Sequence, residues 1–124
     1  MLFNRFSQIA AVSGFLSVLL GAFGAHAIKG QLSEYQLNIW QTAVFYQFVH
    51  TLLLLFVCQQ TKLIELHDFI MKVVVWSLTI GMILFCGSLY FWALLSVKSL
   101  GMVTPLGGIL FLLAWFLIFV AFIA

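Results

Sequence analysis

Polar and apolar positions in this chain are segregated on the scale of whole helices. Asp, Glu, Lys and Arg are absent from Phe6–Ile28, Tyr35–Thr61, Val73–Val97 and Ser99–Ala124, runs of 23, 27, 25 and 26 residues. A helix needs about 20 apolar residues to cross a hydrocarbon core about 30 Å thick. Without water to satisfy the backbone, only helices or a closed barrel can cross. Barrel strands would alternate apolar and polar positions, and these runs do not. The pattern predicts an all-α protein, an integral membrane bundle of four transmembrane helices in one domain (1–124). The expected spans are near 6–28, 39–58, 73–97 and 105–122.

The punctuation between the runs fits this reading. Gly30 follows the first span, where a glycine commonly ends a helix. Ser33 and Gln36 have the spacing of a capping box and start the second helix near Glu34. Trp40 is expected to anchor that helix at the water–lipid boundary. Asp68 is expected to cap the third helix, which would be about 43 Å long if it reached Val97, so that either the helix tilts or Lys72 snorkels to the headgroups with the first turn outside. Lys98 and Gly101 end it. Thr104-Pro105 then reads as an N-cap followed by proline at the first helical position.

Composition narrows the function classes. Hydrophobic residues make up 65% of the chain and charged residues 6%, too apolar for one small water-soluble core. Five basic residues stand against three acids, a net charge of +2, and are dispersed, so no nucleic-acid partner is expected. Cys58 and Cys86 both fall inside apolar runs and read as small buried hydrophobes. Neither a cysteine-based metal site nor any cofactor is expected. Arg5 and the string Ala25-His26-Ala27 suggest a signal peptide. The run between them is long for one and carries packing glycines, so the first helix is expected to stay uncleaved. Arg5, Lys62 and Lys72 share the side of the two termini, against Lys29 and Lys98 opposite, which favours a cytoplasmic N-terminus. No internal repeat supports a transporter of inverted halves.

Small residues form faces on three helices. Ser17, Gly21 and Ala25 make a ridge on the first, with Gly24 beside it. Ser77, Gly81 and Ser88 make one on the third, with Gly87 adjacent, and Gly107 and Gly108 open the fourth. These read first as seams for close helix packing, and otherwise as a glycine-lined pocket or pore. His50 lies about 15 Å below Trp40, near the membrane midplane. Tyr46 and Gln47, three and four residues earlier, and Thr51 place a polar cluster on the same helix side. Such a cluster should face the bundle interior, either as a structural hydrogen-bond network or as a site handling protons or a small solute. His26, level with Trp40, is too far from His50 to share a metal with it. The three acids lie at surfaces, so none can orient His50 for hydrolysis, and no enzymatic activity is expected.

Four strings carry a family resemblance: Leu20-Gly-Ala-Phe-Gly-Ala-His26, Trp40-Gln-Thr-Ala43 leading to Tyr46, Gln47 and His50, Gly87-Ser-Leu-Tyr90, and Thr104-Pro-Leu-Gly-Gly108. In their order and spacing the chain resembles the DUF423 family of small multi-span membrane proteins, which includes YgdD-like bacterial inner-membrane proteins. The family commonly has Gly at Ala27 and Ser at Cys86, both small-for-small changes. The resemblance implies a multi-pass protein of the bacterial plasma membrane or a related organelle membrane. It makes Gly21, Gly24, His26, Trp40, Gly87, Ser88, Tyr90, Thr104, Pro105 and Gly108 motif positions and implies no activity. Two roles therefore remain open. One is a structural or interaction role through the small-residue faces, with membrane lipids, a second copy or another membrane protein as partner. The other is solute or proton transport centred on His50.

Overall fold

The computed structural model describes all 124 residues. It contains four long helices, α1 (Leu2–His26), α2 (Glu34–Cys58), α4 (Asp68–Leu95) and α5 (Thr104–Ile123). Between them come a short helix, α3 (Thr61–Leu66), and a 3-10 turn over Lys98–Met102. Every long helix is long and apolar enough to cross a membrane. The fold is an all-helical bundle of four transmembrane segments. α2 and α4 pack against each other at its centre, with α1 laid on α2 and α5 on α4.

The two ends of the bundle have separate cores. At the end holding both chain termini, Phe6, Val57, Met71 and Ala121 belong to one apolar cluster, so all four long helices meet there. At the opposite end Ile28, Trp40 and Ala93 form a smaller cluster. Most remaining large apolar side chains are exposed, Leu112, Phe69 and Phe15 among them at 72%, 77% and 69%. In water that surface would be a liability. In a bilayer it is the lipid-facing surface, because lipid tails solvate it as well as a protein core would.

Local signals set some helix ends and long-range contacts set others. The capping box forms as its spacing predicts: Gln36 N–H donates to Ser33 Oγ at 3.1 Å, and Ser33 N–H to Gln36 Oε1 at 3.0 Å. The same glutamine donates through Nε2 to Ser96 Oγ at 3.0 Å, tying the start of α2 to the end of α4. Ser96 closes α4 in the left-handed conformation (φ 55°), at about 1–2 kcal/mol for a residue with a Cβ.

Four boundary expectations are corrected. α1 ends at His26, and Gly30 lies beyond it in a turn; no glycine takes positive φ, so glycine's backbone freedom is not what ends the helix. Asp68 does not cap α4. His67 occupies that position, and Asp68 instead pairs with Lys72 at 2.7 Å across one turn. A half-exposed pair of this kind contributes about 0.5 kcal/mol or less. Thr104 does not cap α5, because Val103 precedes it in helical conformation and the Thr104 hydroxyl is engaged elsewhere. Pro105 stays harmless there, since the first four N–H groups of a helix lack internal partners. Finally, α4 stops at Leu95, two residues before Val97.

The glycines divide into those a neighbour needs and those it does not. A Cβ on Gly107 would lie 2.5 Å from Phe85 N and 2.8 Å from Gly81 O, so the α4 and α5 backbones touch there. A Cβ on Gly24 would strike the indole of Trp40, 2.7 Å from its Cδ1. On Gly21 it would meet only Val44 Cγ1 at 3.3 Å, on Gly108 the Phe85 ring at 3.9 Å, and on Gly87 nothing within 4 Å. The small-residue faces are therefore chiefly internal seams.

A polar seam and a side groove as the candidate site

Trp40 is the first departure from expectation. It is 3% exposed, so it is not a boundary anchor. Its Nε1–H donates to the Leu20 carbonyl at 3.0 Å, and its ring packs edge-on to Tyr90, with centroids 4.8 Å apart. Gly24 leaves the space for this indole. The match of Trp40 with Leu20 and Gly24 places His26 beyond it toward the surface. His26 is exposed in the last turn of α1 and makes no side-chain hydrogen bond. No three His, Cys, Asp or Glu side chains gather anywhere in the fold.

The polar cluster of α2 does not form one site. It splits into two stripes. Tyr46 and His50 turn toward the seam of α4 and α5, while Gln47 and Thr51 turn toward α1 and the other side of α4. Tyr46 is 37% exposed, its ring centroid 4.6 Å from that of Phe85 on α4. In the first stripe His50 is 5% exposed and lies over Phe111, ring centroids 3.8 Å apart. Trp115 donates its indole N–H to His50 Nε2 at 3.1 Å, and His50 Nδ1 lies 2.8 Å from Tyr46 O. Indole can only donate, so Nε2 accepts and the ring proton belongs on Nδ1, where it reaches the carbonyl. Both ring nitrogens are occupied. Nothing local in the sequence links residues 50 and 115, so this bond shows only in the fold. Replacing Trp115 with Phe should lower stability by about 1 kcal/mol, the scale of one hydrogen bond between membrane helices. A thermal midpoint unchanged in detergent would show that the bond contributes nothing.

The second stripe joins three helices. Tyr90 donates its hydroxyl to Gln47 Oε1 at 2.6 Å. Gln47 Nε2 lies 3.2 Å from both Ser13 O and Ser13 Oγ. Ser13 and Thr51 share a hydroxyl bond at 2.6 Å, and Thr51 Oγ1 donates to Met82 Sδ at 3.4 Å. No local sequence signal marks Ser13 for this part. Its role shows once α1 and α2 are paired. A third polar contact joins two motif positions, Ser88 and Thr104, whose hydroxyls lie 2.5 Å apart across α4 and α5. No buried side-chain polar atom lacks a partner.

Beside the second stripe, α1 and α4 leave an open groove of about 970 Å³. Its walls are mostly apolar, with Ile9, Val12 and Leu16 on α1 and Ile83 and Gly87 on α4. Ser13, Gln47 and Tyr90 reach its floor, and Arg5 and Gln8 stand at one end. The groove does not include His50. A smaller hollow of about 380 Å³ lies between α1 and α2, beside Gly21, Gly24, Ala25 and Trp40.

These features define the class: a four-span helical membrane protein with an internally satisfied polar seam and a laterally open groove. The family described as "protein of unknown function (DUF423)" matches over residues 20–108. A UPF0382 membrane protein of Staphylococcus epidermidis is 37% identical over 94% of this chain and 93% of its own length. The UPF0382 membrane protein YwdK of Bacillus subtilis is also 37% identical, over 94% of each chain. The chain belongs to the DUF423 family. No solved structure matches it.

Proposed function

We propose that the protein is a non-catalytic interaction protein of the bacterial plasma membrane, binding a membrane-embedded partner through the groove between α1 and α4. The observation that carries this reading is Gly87. A mid-helix glycine costs about 1 kcal/mol relative to alanine, and no neighbour comes within 4 Å of where its Cβ would be. Packing therefore does not require it. Its missing side chain widens the groove, and the other glycines that could have served an outside partner are mostly taken up by seams.

A transport role centred on His50 has less support. Its nitrogens are both engaged, and the groove, with Gln47 on its floor, does not reach it. The plasma-membrane location rests on bacterial relatives named as membrane proteins. The N-terminus is assigned to the cytoplasm because Arg5, Lys62 and Lys72 lie at the end of the bundle holding the termini. Membrane lipid, a second copy of the chain and another membrane protein are the occupants to be told apart.

Native mass spectrometry after extraction in mild detergent tests the groove. Wild type should retain a bound membrane component that Gly87→Phe loses at unchanged thermal stability. A bare wild-type chain, or an adduct indifferent to Gly87→Phe, would overturn the reading.

A further inference from the structure

We infer that the groove holds one anionic phospholipid from the leaflet on the N-terminal side, its phosphate at Arg5 and Gln8 and an acyl chain along α1 and α4. The inference rests on the groove being the working surface. Three observations support this occupant. The first is length. From Arg5 to Leu20 the groove follows α1 for about 22 Å of helix rise, and one leaflet with its headgroups is about 20–22 Å deep.

The second is charge. Arg5 lies one turn into α1, exposed and without an ion-pair partner, since the single ion pair of the chain joins Lys72 to Asp68. Gln8 is three residues on, on the same face, with its amide also free of partners. A guanidinium presents a donor fork that suits phosphate oxygens. Of the acids on the long helices, Glu34 lies at the opposite end of the bundle and Asp68 is already paired with Lys72, so a helix of a second copy lying in the groove would bring no unpaired side-chain carboxylate to Arg5. The third is the graded lining. Below the cation the walls are apolar, and the polar atoms on the floor already bond one another: Gln47 to Tyr90 and Ser13. Nothing in the deeper half asks for a polar ligand. That matches a molecule charged at one end and hydrocarbon below.

The test uses the full-length protein, stripped in detergent and titrated with phosphatidylglycerol or phosphatidylcholine, bound lipid being counted by native mass spectrometry. Wild type should favour phosphatidylglycerol, and Arg5→Gln should lose about fivefold in affinity, the worth of one basic side chain at an anionic lipid surface. Arg5→Lys should keep most of the preference. Gly87→Phe should lose both lipids. Equal binding of the two lipids, or an Arg5→Gln variant that still prefers the anionic one, would overturn the headgroup assignment and leave the groove standing. A wild-type dimer without lipid, broken by Gly87→Phe, would put a second copy in the groove instead. No occupant in any variant would remove both readings.

Discussion

Gly107→Ala should be the most damaging single methyl that can be added to this protein. The new Cβ would lie 2.5 Å from Phe85 N, 2.7 Å from Phe85 Cβ and 2.8 Å from Gly81 O. Two of these atoms are backbone of α4, so no side-chain rotation relieves the clash and the helices must separate. Overpacking of a fitted core costs about 1–3 kcal/mol. Here the upper end applies, because separation also disturbs Phe111, which covers both Gly81 and His50. The Ser88–Thr104 hydroxyl bond, nearer the start of α5, would be strained as well. The thermal midpoint in mild detergent should fall by about 10 °C. Gly87→Ala and Gly108→Ala serve as controls, since their methyls meet open space or ordinary contact, and both should leave the midpoint level or slightly raised. Equal midpoints for Gly107→Ala and Gly87→Ala would mean that α4 and α5 do not touch as described.

That contrast among glycines shows what the sequence could and could not reveal. The four spans were legible because lipid imposes a strict requirement on each stretch separately, and a run of uncharged residues reports it directly. The Ser33–Gln36 box was legible for the same reason: both partners are three residues apart. Trp40 and Thr104 were misread because their partners, Leu20 and Ser88, lie on other helices. The rule applied to each, a boundary tryptophan and a helix cap, describes only the local chain. The small faces were rightly read as seams, but not which glycine met what. Gly81 and Gly107 meet each other's backbone, while Gly87 meets nothing.

The polar residues of α2 show the limit most clearly. Tyr46 and His50 are one i,i+4 pair, and Gln47 and Thr51 are another, about 100° further round the helix. Periodicity places both toward the interior. It does not say that the α4–α5 seam meets the first and α1 with α4 the second. The cluster therefore looked like one site of four side chains. In the fold it is two hydrogen-bonded seams back to back, each completed by residues with no sequence signal for the role, Trp115 on one side and Ser13 on the other. The groove was invisible for a related reason. It exists because α1 packs chiefly on α2 and stands apart from α4, a relation no single helix encodes.

Gln47→Leu should be the largest loss on the polar side. The leucine fills similar volume but deletes the acceptor of Tyr90 and both amide contacts to Ser13. Hydrogen bonds between membrane helices average about 0.6 kcal/mol, with the stronger ones near 1.7. The larger part of the cost is the stranded Tyr90 hydroxyl, since an unsatisfied buried donor costs about 1–3 kcal/mol. Together these give about 2 kcal/mol. Tyr90→Phe, which removes the hydroxyl and strands only one lone-pair site on Gln47, should cost about 1 kcal/mol or less. The double variant should then be no less stable than Gln47→Leu alone, because the stranded group has gone. The cycle should show a coupling of about 1 kcal/mol. Strict additivity in unfolding measured under one detergent condition would mean that Gln47 and Tyr90 do not bond. The seam would then be a set of independent polar residues and not a floor that holds α1, α2 and α4 in register beside the groove.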